Sequence, residues 1–168
     1  MGLTIVAMGK IGIENPQEKF YEPNRSDFAY RNNPEQFAID EKEYDRLVKE
    51  YEDAEEKATV DRFTIGYIGF SNLRRDLVEL IGFGHFTGNP LSEDYSLQDK
   101  DIEDSKDLNE FFLHSDCDGK LAAEQIAILN KHMQLKSDAV YKSESRFVRT
   151  FADFVKKSAE SKANWEFV

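Results

Sequence analysis

Cysteine is almost missing from this chain. Cys117 stands alone among 168 residues, so no disulfide can close within the molecule and nothing points to an oxidising compartment. No stretch reaches the roughly 20 apolar residues that a membrane-spanning helix needs. The start has no basic segment followed by an apolar one, the pattern of a secretory signal. Together these absences predict a cytoplasmic protein with no membrane partner. Basic residues are outnumbered as well, 22 Lys and Arg against 33 Asp and Glu, and the net charge of −11 repels phosphate backbones. Nucleic acid is therefore not the expected partner. The chain has no internal repeat, nucleophile elbow, Walker loop or dinucleotide fingerprint.

What is present is bulky apolar material. Hydrophobic residues make up 40% of the chain and aromatics 12%, led by 13 Phe and 7 Tyr. Side chains of this size bury enough area to offset chain entropy, and the length suits one core. Residues 1–168 are thus expected to form a single domain. Charge is uneven: residues 14–57 carry 14 acids and 7 bases, residues 93–118 carry 10 acids and 2 bases, and residues 120–168 carry 6 acids and 9 bases. The last third therefore has room for a local basic face, although charge runs of this kind are commonly solvated helix surface.

Leu3 to Met8 is short, apolar and partly β-branched, which predicts a buried strand. Residues 12–33, broken by Pro16 and Pro23 and followed by Pro34, read as loop. From Asp40 onward Tyr44, Leu47, Val48, Tyr51 and Ala54 recur at helical spacing, and Asp40 with Glu43 resembles a capping box. Val60 to Phe70 reads as a strand and turn feeding a helix over 72–81, whose apolar face is Leu73, Leu77, Leu80 and Ile81. Residues 88–105 read as a connecting loop, and a short helix is expected over 107–113. A further helix runs through Ile126, Leu129 and Met133. Another spans about 143–159, with Phe147, Val148, Phe151, Phe154 and Val155 on one stripe. Trp165, Phe167 and Val168 predict a closing strand. The expected class is α+β, several helices packed with a small sheet built from N-terminal, central and C-terminal strands.

One cluster concentrates chemistry: His114-Ser115-Asp116-Cys117-Asp118-Gly119. Two carboxylates and an imidazole can ligate a divalent cation, which makes Asp116, Asp118 and His114 the candidate metal ligands. A calcium loop of the EF-hand kind fits poorly. With Gly119 in the sixth place, Asp116 and Asp118 fall third and fifth, but His114 stands first and Gln125 twelfth, with Glu124 one residue early. The segment is also similar to the His-x-Asp-x-Asp-Gly-like signature of the Asp-His-His phosphoesterases, whose second metal needs downstream ligands; here only His132 follows. Read as architecture, the same residues make a polar turn in which Asp and Ser bond nearby N–H groups, Gly119 supplies a positive φ, and the acids precede a helix. That reading is preferred, and no cofactor is expected. Cys117 between two aspartates is a poor nucleophile and is expected to be a small buried side chain. His85 has no acid nearby. Of Arg74 and Arg75, one is expected to face outward, and Arg74 is expected to reach Asp116 or Asp118.

The Met-Gly-Leu-x-Ile start, the stretch Tyr67, Gly69, Phe70, Asn72 and Arg74, and the turn Ser115 to Gly119 together resemble a group of small bacterial and bacteriophage proteins with no established activity. The resemblance covers residues 1–13 and about 60–168. It implies a prokaryotic or phage source, a cytoplasmic location and a variable insertion at 14–57 made of a loop and an amphipathic helix. It carries over no functional residue. Two functions follow as expectations. The first is a non-enzymatic accessory protein that engages another protein through an acidic surface. The alternative is a metal-assisted hydrolase built on His114, Asp116 and Asp118, with Ser115, Glu124, Tyr67 or Arg74 brought near by the fold. Oligomeric state is left open.

Overall fold

A computed structural model describes residues 2–88, 95–114 and 119–168, the side chain of Lys19 excepted. The chain is α+β, and its described residues divide into two compact units, residues 1–9 with 59–168 and residues 10–58.

The larger unit is organised by alternation. Strand β1 (Gly2–Met8) turns Leu3, Ile5 and Ala7 to one face, and all three are fully buried. Strand β2 (Thr59–Gly66) pairs antiparallel with it in a register that sets Ile65 beside Leu3 and Phe63 beside Ile5. Strand β6 (Asn164–Phe167) lies on the other side of β1, with Trp165 beside Ala7 and Phe167 beside Ile5. Strand β5 (Gly119–Leu121) then pairs with β6, Leu121 beside Trp165. The order is β2-β1-β6-β5, all antiparallel. Since side-chain period along a strand is two, a slip of one residue would turn every one of these apolar groups to solvent; burial fixes the register. The opposite face is polar: the Thr4 and Thr64 hydroxyls meet at 3.1 Å and Lys120 Nζ reaches Glu166 at 2.7 Å.

Helices cover the apolar face. Helix α3 (Tyr67–Leu80) contributes Phe70, Leu73, Leu77 and Val78, and α4 (Ser105–Phe112) contributes Leu108, Phe111 and Phe112. Helix α5 (Ala123–Leu135) adds Ile126, Leu129 and Met133. After the short α6 (Ser137–Tyr141), α7 (Arg146–Glu160) buries Val148, Phe151, Phe154 and Val155 in one stripe. The hydroxyl of Ser145 caps α7 by accepting from the Val148 N–H, one of the donors a helix start leaves unsatisfied. The centre of the core is aromatic: Trp165 lies 5.1 Å from Phe154, 5.6 Å from Phe151 and 6.1 Å from Phe111, ring centre to ring centre, several of them edge to face.

One helix begins earlier than periodicity predicts, and a hairpin forms where none is expected. Helix α3 starts at Tyr67 rather than residue 72, since burying Phe70 needs the helix to be under way before it. A hairpin of β3 (Gly84–Thr87) and β4 (Ser96–Asp99) takes part of the stretch that reads as loop over 88–105. Its pairing sets Leu97 beside Phe86, and the Tyr95 ring stacks on Phe86 at 4.7 Å.

In the smaller unit, α1 (Pro16–Lys19) is a single turn capped by Asn15, and α2 (Pro34–Ala58) is the longest helix described. Helix α2 starts six residues before the Asp40–Glu43 box, and that box does not form. Asn33 Oδ1 accepts from the Gln36 N–H at 3.1 Å, and Pro34, which has no N–H to satisfy, takes the first helical position. Asp40 instead accepts from Tyr30 Oη at 2.9 Å and Gln36 Nε2 at 2.7 Å, while Glu43 pairs with Arg46 at 2.6 Å. Among the described residues no helix is long and apolar enough to cross a membrane.

Candidate functional site

The polar segment 115–118 falls in the chain between the end of α4 and the start of β5. Ser115, Asp116, Cys117 and Asp118 lie outside the described residues, and so does the expected pairing of Arg74 with Asp116 or Asp118. What the structure describes is the frame that holds both ends of that segment.

Arg74 comes from the inner face of α3 and is 5% exposed. Its Nη1 donates to the carbonyl of His114 at 2.8 Å and to that of Phe112 at 3.3 Å. Both acceptors sit at the C-terminal end of α4, where the last carbonyls lack helical partners and the helix dipole is negative. The guanidinium also lies 4.6 Å from the centre of the Phe70 ring. A buried cation is thus held by carbonyl oxygens, a dipole end and a ring face, and it fastens the exit of α4 to α3. Arg75, one residue on, is only half-buried.

The His114 ring stacks on Phe167 of β6, centroids 4.0 Å apart and planes 19° from parallel. Gly119, paired beside Phe167, lies under the same imidazole. It has φ of +120°, and a Cβ built there would come within 2.7 Å of His114 Cε1. Only glycine satisfies both the backbone angle and the space. Gly119→Ala is accordingly expected to lose at least about 1–3 kcal/mol from backbone strain alone. The His114 ring proton resonances should shift as the ring is pushed off Phe167. An alanine variant with unchanged melting and unchanged His114 resonances would show that the close approach is not real.

An open groove of about 600 Å³ runs beside this corner, lined by Lys106, Asn109, Glu110, Leu113 and His114. Asn109 is fixed by donating through Nδ2 to Asp99 Oδ2 at 2.9 Å. Of the other site residues expected from sequence, Glu124 stands exposed on the first turn of α5, and Tyr67 is 37% exposed at the first position of α3. Arg74 and His114 are brought together; Glu124 lies on α5, and Tyr67 lies on α3 seven residues before Arg74. His85 is exposed on β3. Among the described residues no three His, Cys, Asp or Glu side chains come together as a metal centre would require.

A second polar cluster was not legible in the sequence. Asp104 precedes α4 with φ of +71°, and its Oδ2 accepts from Lys131 Nζ at 2.8 Å and His132 Nε2 at 3.2 Å. Bonds from Lys131 first and His132 second hold the Asp104 carboxyl below its ordinary range. A carboxyl whose folded pKa is depressed stabilises the fold above its unfolded pKa, about 3.9, and loses that contribution as pH falls through the folded value. Melting of the wild type is therefore expected to drop more steeply with acidification below about pH 4 than melting of Asp104→Asn. Parallel curves would show that the contact contributes nothing.

No family model matches the chain, and no curated protein and no solved structure matches it either.

Proposed function

We propose that this protein is a non-enzymatic binding protein that engages a basic surface of a partner protein through its acidic face, with α2 as the main contact. One observation carries the reading. Helix α2 runs for 25 residues, buries only Phe37, and presents ten acidic residues against four basic ones. A helix this polar is not held by a core. It persists through pairs such as Arg46 with Glu43 and Glu50, both at 2.6 Å, each contributing a few tenths of a kcal/mol. An excess of exposed carboxylates along one rod produces a field that steers cations and basic proteins toward it and repels nucleic acid and anionic lipid. The role we infer is that of an accessory protein in the cytoplasm of a bacterial or phage-infected cell, a setting supported by the motif resemblance.

The test is affinity capture from the cell of origin with the wild type and with Glu52→Lys, Asp53→Lys and Glu56→Lys combined. A partner retained by the wild type at low salt, released as salt rises and lost by the triple variant is the expected result. Identical capture by both proteins would overturn the reading. So would a rise in melting temperature with Mg²⁺, Mn²⁺, Zn²⁺ or Ca²⁺ that His114→Ala or Asp116→Asn abolishes, since that would favour the hydrolase.

A further inference from the structure

The smaller unit exposes apolar side chains that its own fold leaves uncovered. Phe20 is 51% exposed, Tyr21 78% and Ile13 45%. Isolated exposed apolar groups are ordinary, but apolar groups that line a hollow together are the usual mark of a binding surface. Ile13, Pro16, Phe20 and Leu47 wall a cleft of about 240 Å³ whose rim carries Glu14 and Glu50. A second hollow, of about 460 Å³, adjoins the segment continuing from Phe20, between Tyr21 and the Phe37 and Glu41 side of α2. There the Arg25 guanidinium lies 5.0 Å from the centre of the Phe37 ring. The first cleft is smaller than the roughly 300–1,000 Å³ of sites that engulf a small molecule. It has the size of a seat for a side chain belonging to something larger.

We infer that this cleft receives an apolar side chain from a basic segment of the partner protein, a leucine-like residue flanked by lysine or arginine. The inference rests on the binding reading above and names the partner's chemistry. The apolar floor selects the inserted side chain, and the carboxylates of Glu14 and Glu50 select the charge beside it. Glu50 accepts from Arg46 at 2.6 Å in a half-exposed pair, so a partner's lysine or arginine would share or displace that cation at the rim. An acidic partner would meet like charge along the whole helix. A purely basic one would leave Phe20 and Leu47 in water. Only the combination satisfies both, the pattern of an apolar anchor surrounded by charge that sets specificity and approach.

The experiment uses the full chain and three fluorescein-labelled synthetic peptides of equal length, alternating Lys-Leu, Lys-Ser and Glu-Leu, read by fluorescence anisotropy. The Lys-Leu peptide is expected to bind at least roughly tenfold tighter than Lys-Ser, the worth of burying one large apolar side chain, and tighter than Glu-Leu, which carries the same side chain but meets like charge. Phe20→Ser and Leu47→Ser should each remove that preference, whereas Phe28→Ser, which removes a ring 84% exposed and outside the cleft, should leave it intact. Circular dichroism confirms that each variant keeps its helices. Equal binding of Lys-Leu and Lys-Ser overturns the cleft while leaving the acidic-surface reading standing, and so does equal loss in the Phe20 and Phe28 variants. If no peptide binds and salt-sensitive capture by the wild type persists, the cleft again fails alone; loss of that capture as well removes the binding reading itself.

Discussion

Arg74→Met is expected to destabilise the protein by about 2–6 kcal/mol, about 1–3 kcal/mol for each of the two carbonyls left without its charged donor. Methionine keeps most of the stem and its packing, so the loss isolates the guanidinium. What remains behind are the carbonyls of Phe112 and His114 at the end of α4, deprived of the donor that reaches them at 3.3 and 2.8 Å. For a domain of this length each kcal/mol is worth roughly 2–4 °C, so the melting temperature should fall by about 4–24 °C. Arg74→Lys should recover only part of this, since an ammonium lacks the planar fork that lets one group serve two acceptors. A fall of under about 1 kcal/mol in Arg74→Met would mean that the frame does not depend on this residue. It would also mean that the corner around His114 is held by the turn rather than holding it.

Phe151→Ala is expected to cost a comparable amount, about 3–5 kcal/mol, the range for removing a buried aromatic ring. Phe151 is fully buried and its ring centre lies 5.1 Å from Phe63, 5.5 Å from Phe111 and 5.6 Å from Trp165. The three rings around it are rigid and cannot refill that volume without leaving their own places. The single tryptophan reports the event directly, because Trp165 forms part of the same cluster. Chemical denaturation followed by its fluorescence should show a lower midpoint with little change in slope. A midpoint shift of under about 1 kcal/mol would show that the ring cluster is redundant.

The stripe expected over Phe147, Val148, Phe151, Phe154 and Val155 was legible because helical periodicity is local, and α7 follows it except at Phe147, which lies one position off the buried face and is 51% exposed. Strand β1 was legible for the same reason, and so was the closing strand at Trp165 and Phe167. The start of α2 was misread because two signals compete there. Asp40 and Glu43 have the spacing of a capping box, yet Asn33 followed by Pro34 supplies a working cap about two turns earlier, and a helix that can begin earlier gains further hydrogen bonds. Strand β4 was missed because Ser96–Asp99 has weak strand character by itself and is a strand only through its pairing with β3. At the candidate site, the expected pairing of Arg74 with Asp116 or Asp118 lies outside the described residues; what the structure adds is its bonds to the backbone carbonyls of Phe112 and His114, acceptors that every residue carries and that no sequence pattern distinguishes.

The sequence by itself determined the apolar stripes of β1, β6 and most of α7 and the elements that carry them, because apolar period acts within a few residues. It also determined the sign of the surface charge. Only the tertiary structure decided that the first and last strands lie side by side, that Asp104 meets Lys131 and His132, and that His114 rests on Phe167 above Gly119. Each of these joins residues far apart along the chain, and the free energy that selects them arises from packing against partners which no local pattern names.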